Sequence, residues 1–299
     1  MNVHVCALYR FVALADPASL QQPLRSAMQR HGVRGSLLVA PEGINGTIAG
    51  SREGIEAVLQ MLARWPDLAN IQGKWSRCEG MPFRKIRVRL KKEIVTIGTA
   101  EGDPAGFVGT YVDPQDWNAL ISRDDVTLID TRNRYETEIG SFAGAIDPQT
   151  ESFRDFPDYV ETNLDPETHL SVAMYCTGGI RCEKATALLK RRGFKNVYHL
   201  SGGILRYLAE VNPDESLWRG DCFVFDERVA VDHDLRPSSH VMCHACGWAV
   251  SVDDQSHPDY RPGVHCPRCV DEITETQKRN FEMRQSQLDA AKAEAAKSP

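Results

Sequence analysis

The run Met174-Tyr175-Cys176-Thr177-Gly178-Gly179-Ile180-Arg181-Cys182-Glu183-Lys184 constrains this chain most. It joins a strand-like segment, His169 to Tyr175, to a helix-like one, Glu183 to Arg192. A cysteine at the end of a strand, then two glycines, then a helix commits this part of the chain to a strand–turn–helix unit. Paired glycines reach backbone conformations closed to other residues. Successive N–H groups of Thr177, Gly178, Gly179 and Ile180 can therefore turn toward the sulfur as an anion cradle. The positive end of the following helix points the same way, and both effects favour thiolate over thiol. Cys176 reads as a nucleophile, with Arg181 beside it. A buried structural cysteine at the end of a core strand is the bland alternative.

This loop resembles that of rhodanese domains, whose cysteine carries transferable sulfur as a persulfide. Protein tyrosine phosphatases use a similar loop with the arginine one residue further on. In the families concerned, the C-x4-R spacing of Cys176 and Arg181 accompanies sulfur chemistry. Upstream, Asp125 to Arg132 is a buried-type strand ending in polar residues, where open α/β folds place functional groups. Asp130, Arg132 and Glu136 fit the rhodanese pattern D-x-R…E, and the resemblance gives them a supporting role around the loop. One departure stands out: Gly140 is followed by Ser141 and Phe142, where the family pattern has histidine.

The chain's 299 residues suffice for two or three cores. Residues 1–98 read as βαββαβ, a ferredoxin-like α+β domain, with Ser51 capping a helix from Glu53 to Trp65 and Phe83 to Ile97 closing it as strand or hairpin. Residues 99–122 read as a linker and lead-in helix. Alternating strands and helices over 123–217 imply a rhodanese-like parallel sheet with helices on both faces. Residues 218–299 form a Cys-rich, zinc-ribbon-like region, with a strand at Cys222 to Val231 and a charged segment, Glu272 to Lys297, as solvated helix or frayed tail.

Two further groups bear on function. Arg84, Lys85, Arg87, Arg89, Lys91 and Lys92 are interrupted only by apolar residues. Strand alternation would put Arg87, Arg89 and Lys91 on one face as a basic ribbon for RNA phosphates, leaving Ile86, Val88 and Leu90 for the core. A solvated sheet face is the alternative. Cys243-x2-Cys246 and Cys266-x2-Cys269 are spaced as two knuckles of a four-thiolate structural zinc site; His244 and His265 beside them could replace a ligand, and unliganded or redox cysteines are the alternative. Nine cysteines, an odd number, suit a reducing compartment better than a disulfide framework. No apolar run approaches the ~20 residues of a membrane span, so a cytoplasmic protein without a membrane partner is expected. The net charge of −6 does not by itself advertise a nucleic-acid binder.

Three stretches together point beyond a generic rhodanese domain. They are Pro41-Glu42-Gly43-Ile44-Asn45-Gly46-Thr47, the cysteine loop from Tyr175 to Lys184, and Phe223-Val224-Phe225-Asp226-Glu227-Arg228-Val229. They resemble the bacterial tRNA uridine hydroxylases, over about residues 1–270. The resemblance implies conversion of wobble uridine 34 of tRNA to 5-hydroxyuridine, with molecular oxygen as co-substrate and an electron donor the sequence does not name. Cys176, as thiolate or persulfide, would be the reacting group, with Arg181 supporting it and Cys182 either a resolving thiol or a packed or surface cysteine. A plain sulfurtransferase passing persulfide sulfur to a thiol acceptor, and a non-catalytic RNA-binding scaffold, are the rival readings.

Overall fold

The computed structural model describes residues 2–295. The chain begins β1 (Asn2–Phe11), α1 (Ala18–Arg30), β2 (Arg34–Ala40), β3 (Gly43–Gly50), α2 (Arg52–Leu62), β4 (Gly73–Glu79), β5 (Ile86–Leu90). Ser51 caps α2 as expected, accepting the Gly54 N–H at 3.0 Å. The sheet order is β4-β1-β3-β2-β5, the antiparallel ferredoxin-like arrangement with β5 added parallel to β2. Cys6, Leu8, Leu37, Val39, Ile44, Ile48 and Val88 pack against Leu20, Leu24, Met28, Ile55 and Val58 of the two helices. That burial drives the fold and leaves the other sheet face free.

Register gives that free face a defined composition. Lys74, Ala7, Thr47, Ser36 and Arg87 form one row across it, and Tyr9, Asn45, Leu38 and Arg89 the next. Arg87 and Arg89 of β5 thus stand at an edge of this face, and all six cations of the stripe, four of them outside the strand, are exposed. Two expectations here need correction. Leu90 is 42% exposed rather than in the core, because β5 is an edge strand with a neighbour on one side only. Residues 91–97 form neither strand nor hairpin; they cross to the next domain, where Ile97 is buried in its core.

The second domain contains β6 (Thr110–Val112), α3 (Pro114–Ile121), β7 (Val126–Asp130), α4 (Arg134–Thr137), β8 (Gly140–Phe142), α5 (Phe156–Asn163), β9 (Ser171–Tyr175), α6 (Ile180–Arg191), β10 (Asn196–Leu200) and α7 (Gly203–Glu210). Its parallel sheet runs β6-β10-β9-β7. One face buries α5 and α6, with Phe156, Cys182 and Leu188; the other buries α3 and α7, with Trp117, Ile204 and Tyr207. All five residues of β9 are buried, as a strand covered on both faces requires. Residues 110–112, within the stretch read from sequence as linker and lead-in helix, are the edge strand of this sheet, because Tyr198 to Leu200 offers them parallel partners.

The remainder is built from short pieces: β11 (Trp218–Gly220), β12 (Cys222–Phe223), β13 (Ala230–Val231), β14 (Val241–Met242), β15 (Ala249–Val250), α8 (Val252–Gln255) and α9 (Glu275–Ala295). The expected strand from Cys222 to Val231 is a tight hairpin instead. Arg228 folds back on Asp226 through two bonds of 2.6 and 2.8 Å, and the Val224 N–H donates to the Val229 carbonyl. The charged C-terminal segment is the helix α9 as far as Ala295; its expected continuation to Lys297 lies outside the described residues. No helix among the described residues is long and apolar enough to cross a membrane.

Candidate active site

Cys176 follows the last residue of β9, and α6 begins four residues later, so the turn is short. Gly179 has φ +92°, a conformation costly for any residue with a Cβ, and it aims its N–H at the Cys176 sulfur at 3.1 Å. Gly203 is equally constrained. A Cβ there would lie 2.5 Å from the Cys176 carbonyl oxygen, and without one the Ile204 N–H can donate to that oxygen at 3.0 Å.

The sulfur has no exposed surface. Burial alone would push its pKa up. The Cys182 thiol, the Arg181 charge and the N–H groups of Cys182 and Arg181 outweigh it and bring the Cys176 pKa to about 5. Cys182 moves the opposite way, its thiol held neutral by burial and by its anionic neighbour; it also lies 3.6 Å from the Thr131 hydroxyl. The pair therefore holds one negative charge, on Cys176.

Arg181 acts on the sulfur by charge. Both of its terminal nitrogens are taken by Glu136, at 2.6 and 2.7 Å, in a bidentate pair buried from solvent. Burial would raise the Glu136 pKa, but Arg181 holds its carboxyl below the usual range. Asp130 and Arg132 form a second buried pair deeper in the fold, where Arg132 donates to the Glu136 and Gly140 carbonyls and packs over Trp218. They brace α4, which carries Glu136, and do not touch the sulfur.

The other wall of the site comes from the first domain, which the sequence did not reveal. Lys74 of β4 donates to the Gly178 carbonyl, and Tyr9 of β1 donates to Glu183 at 3.0 Å. Tyr111 also donates to Glu183, at 2.8 and 2.7 Å. Lys184 is only 2% exposed and binds Glu42 and Glu93 at 2.7 and 2.6 Å. The first turn of α6 thus carries the nucleophile's support on one side and the domain junction on the other. A cleft of about 1300 Å³ runs between the walls, lined by Cys176, Lys74, Tyr9, Asn45, Phe225 and Arg228 among others. Phe225 is 57% exposed at its mouth, 5.9 Å from the Arg181 guanidinium. Of the basic stripe only Lys91 lines the cleft. Arg84 is tied to Glu227 at 2.5 Å.

Away from the cleft, Cys243, Cys246, Cys266 and Cys269 present their sulfurs within 4.8 Å of one another. Neighbouring sulfurs are 3.7 to 3.8 Å apart. Zinc–sulfur bonds of about 2.3 Å in a tetrahedron require S···S separations of about 3.8 Å, so the four fit one such ion. His265 turns its Nδ1 to the Asp259 carbonyl at 2.7 Å. Trp248 of this ribbon packs edge-on to Tyr135 of α4 at 6.5 Å, next to Glu136 in sequence.

Fold and site together define a protein of rhodanese type, with a stabilised thiolate at the turn between a parallel strand and a helix. A rhodanese-like domain is matched over residues 113–210 and a UPF0176 acylphosphatase-like domain over residues 3–94. That pairing is the architecture of the UPF0176 family. Similar solved structures include a rhodanese-like domain from Anabaena sp., 22% identical over 38% of this chain and 80% of its own, with a TM-score of 0.31. A rhodanese-related protein from Thermoplasma volcanium is 22% identical over 35% of this chain and 95% of its own, with a TM-score of 0.28.

Proposed function

We propose that this protein hydroxylates the wobble uridine of tRNA to 5-hydroxyuridine, using molecular oxygen and Cys176. The observation that carries the reading is the cleft. Its floor is a thiolate-holding loop, its opposite wall is a sheet face with a basic edge, and its volume of about 1300 Å³ exceeds what a small sulfur donor needs. The exposed ring of Phe225 at the mouth suits stacking of an unpaired base.

Uracil is electrophilic at C6. Addition of the sulfur there converts the C5=C6 bond into an enolate delocalised over C5 and O4. The C5 electron pair attacks oxygen, and a proton completes a 5-hydroperoxide. A thiol-class reductant then supplies two electrons: two thiols become a disulfide, the O–O bond breaks, and water leaves. Loss of the C5 proton and expulsion of Cys176 restore the double bond. The sum is uridine, oxygen and two thiols giving 5-hydroxyuridine, water and a disulfide. Cys182, whose thiol donates to the Cys176 sulfur, would resolve an oxidised Cys176. Zinc in the four-cysteine site would be structural, because four thiolates leave no open position.

One observation favours sulfur transfer as a second reading. The Cys176 sulfur is fully covered, and a persulfide would carry the outer sulfur about 2 Å further into the cleft. Nucleoside mass spectrometry of tRNA incubated aerobically with a thiol reductant and either wild type or Cys176→Ser decides between them. A gain of one oxygen on uridine that requires Cys176 supports hydroxylation. Turnover of thiosulfate with unmodified tRNA supports transfer. For the RNA partner, neutralising Arg87, Arg89 and Lys91 together should lower the slope of log affinity against log salt by about 2–3; an unchanged slope moves the RNA elsewhere.

A further inference from the structure

We propose that Lys74, supplied by the first domain, is a catalytic residue of the Cys176 site: its ammonium binds uracil O4 as that oxygen takes up charge during sulfur addition. The inference rests on the uridine-hydroxylation reading and assigns the group that reading lacks.

Addition at C6 creates an oxyanion, and a site without a donor there gains little from a good nucleophile. In the rhodanese half the strongest donors are already engaged. Arg181 gives both terminal nitrogens to Glu136, and the Gly179 N–H is spent on the sulfur itself. Arg206 is neutralised in place by Asp113 and Glu210 and Arg228 by Asp226, while Arg10, Lys91 and Arg154 line other parts of the cleft wall. Lys74 differs. Its partner is a neutral carbonyl, that of Gly178, two residues from the nucleophile. An ammonium has three N–H donors, so two remain for a substrate oxygen. The same ammonium lies over the Tyr9 ring, with Nζ 4.6 Å from the centroid.

The charges facing it are mixed. Burial lowers the Lys74 pKa to about 8, with Arg206 pushing it the same way; the Cys176 and Glu183 anions, and Cys182, pull it up. Tyr9 stays neutral, its pKa raised by burial and by Glu183. Activity that needs Cys176 ionised and Lys74 protonated rises with pH through about 5 and falls through about 8.

Full-length wild type, Lys74→Met and Lys74→Arg would be compared for 5-hydroxyuridine formation in single turnovers from pH 5 to 9.5. Lys74→Met should be slower by about 10²–10³-fold and lack the alkaline fall, with Lys74→Arg recovering at least tenfold. Alkylation of Cys176 by iodoacetamide should stay within about threefold in all three, since the loop is intact. A Lys74→Met rate within threefold of wild type overturns the inference. So does a loss matched by an equal loss of alkylation, which marks a structural role. If wild type makes no 5-hydroxyuridine, the hydroxylation reading itself fails. Lys74 is then tested with thiosulfate, whose dianion would meet the same ammonium; a KM unchanged in Lys74→Met sinks the inference too.

Discussion

Two groups of cysteines in this chain reach opposite ends of thiol chemistry. Around Cys176 one sulfur is surrounded by donors: an N–H of Gly179, the thiol of Cys182 and the charge of Arg181. In the ribbon, four sulfurs converge on a point with mainly one another for company. The first arrangement stabilises an anion and keeps its lone pairs for a substrate. The second is a ligand set able to hold a cation at its centre. The cysteine alone decides little; the number of N–H groups against the number of sulfurs within reach decides whether it reacts or binds.

Removing the metal should produce the largest effect. Apparent zinc binding in such four-thiolate units is of order 10 kcal/mol or more, and it is folding energy. Chelation, or Cys243→Ser with Cys266→Ser, should unfold the ribbon, measured as lost amide protection over 241–270, while residues 156–200 stay protected. Trp248 would then leave Tyr135, so some loosening should reach α4. A ribbon equally protected without metal would break the comparison, making it a packed core like any other.

Breaking the support of the reactive sulfur should come next. Glu136→Gln removes the carboxylate from a buried Arg181 and should cost about 3–5 kcal/mol in denaturant unfolding. The loss should depend on pH. Glu136 has a depressed pKa, so its contribution is present at neutral pH and is lost as pH falls through that pKa. Wild type and variant should therefore converge in strongly acid solution. A constant gap would mean that shape, not charge, holds α4.

What the sequence disclosed follows from distance along the chain. Cys176, its glycines and Arg181 lie within six positions, and each ribbon knuckle within four, so local spacing carried their meaning. Glu136 came through a pattern match, and the structure supplies its role. Lys74 and Tyr9 were missed because they meet the loop 104 and 174 positions away, through the docking of two domains. Strand alternation on β1 was the available signal: Cys6 and Leu8 face the core, which leaves Ala7 and Tyr9 for the other face. Nothing adjacent to Lys184 in the sequence marks it as buried; only the segment reaching back with Glu93 shows why it is.

The smallest effect separates the two sulfur clusters most finely. Cys182→Ala deletes the thiol that donates to Cys176 while leaving Arg181 and the loop N–H groups in place. A hydrogen bond to a charged group is worth about 1.5–3 kcal/mol, so the Cys176 pKa should rise from about 5 by roughly one to two units. The pH dependence of iodoacetamide alkylation reads this directly: at pH 6 the variant should react more slowly, and above pH 8 the two should agree. Cys6→Ala serves as the control, since that thiol is buried in the first domain's core, where burial pushes it up to about 12. If Cys182→Ala leaves the titration where it is, the neighbouring thiol is a packing residue, and the charge of Arg181 with the backbone N–H groups suffices to hold the anion. If the midpoint shifts, the site is a two-sulfur device in which one thiol keeps its proton so that the other can lose it.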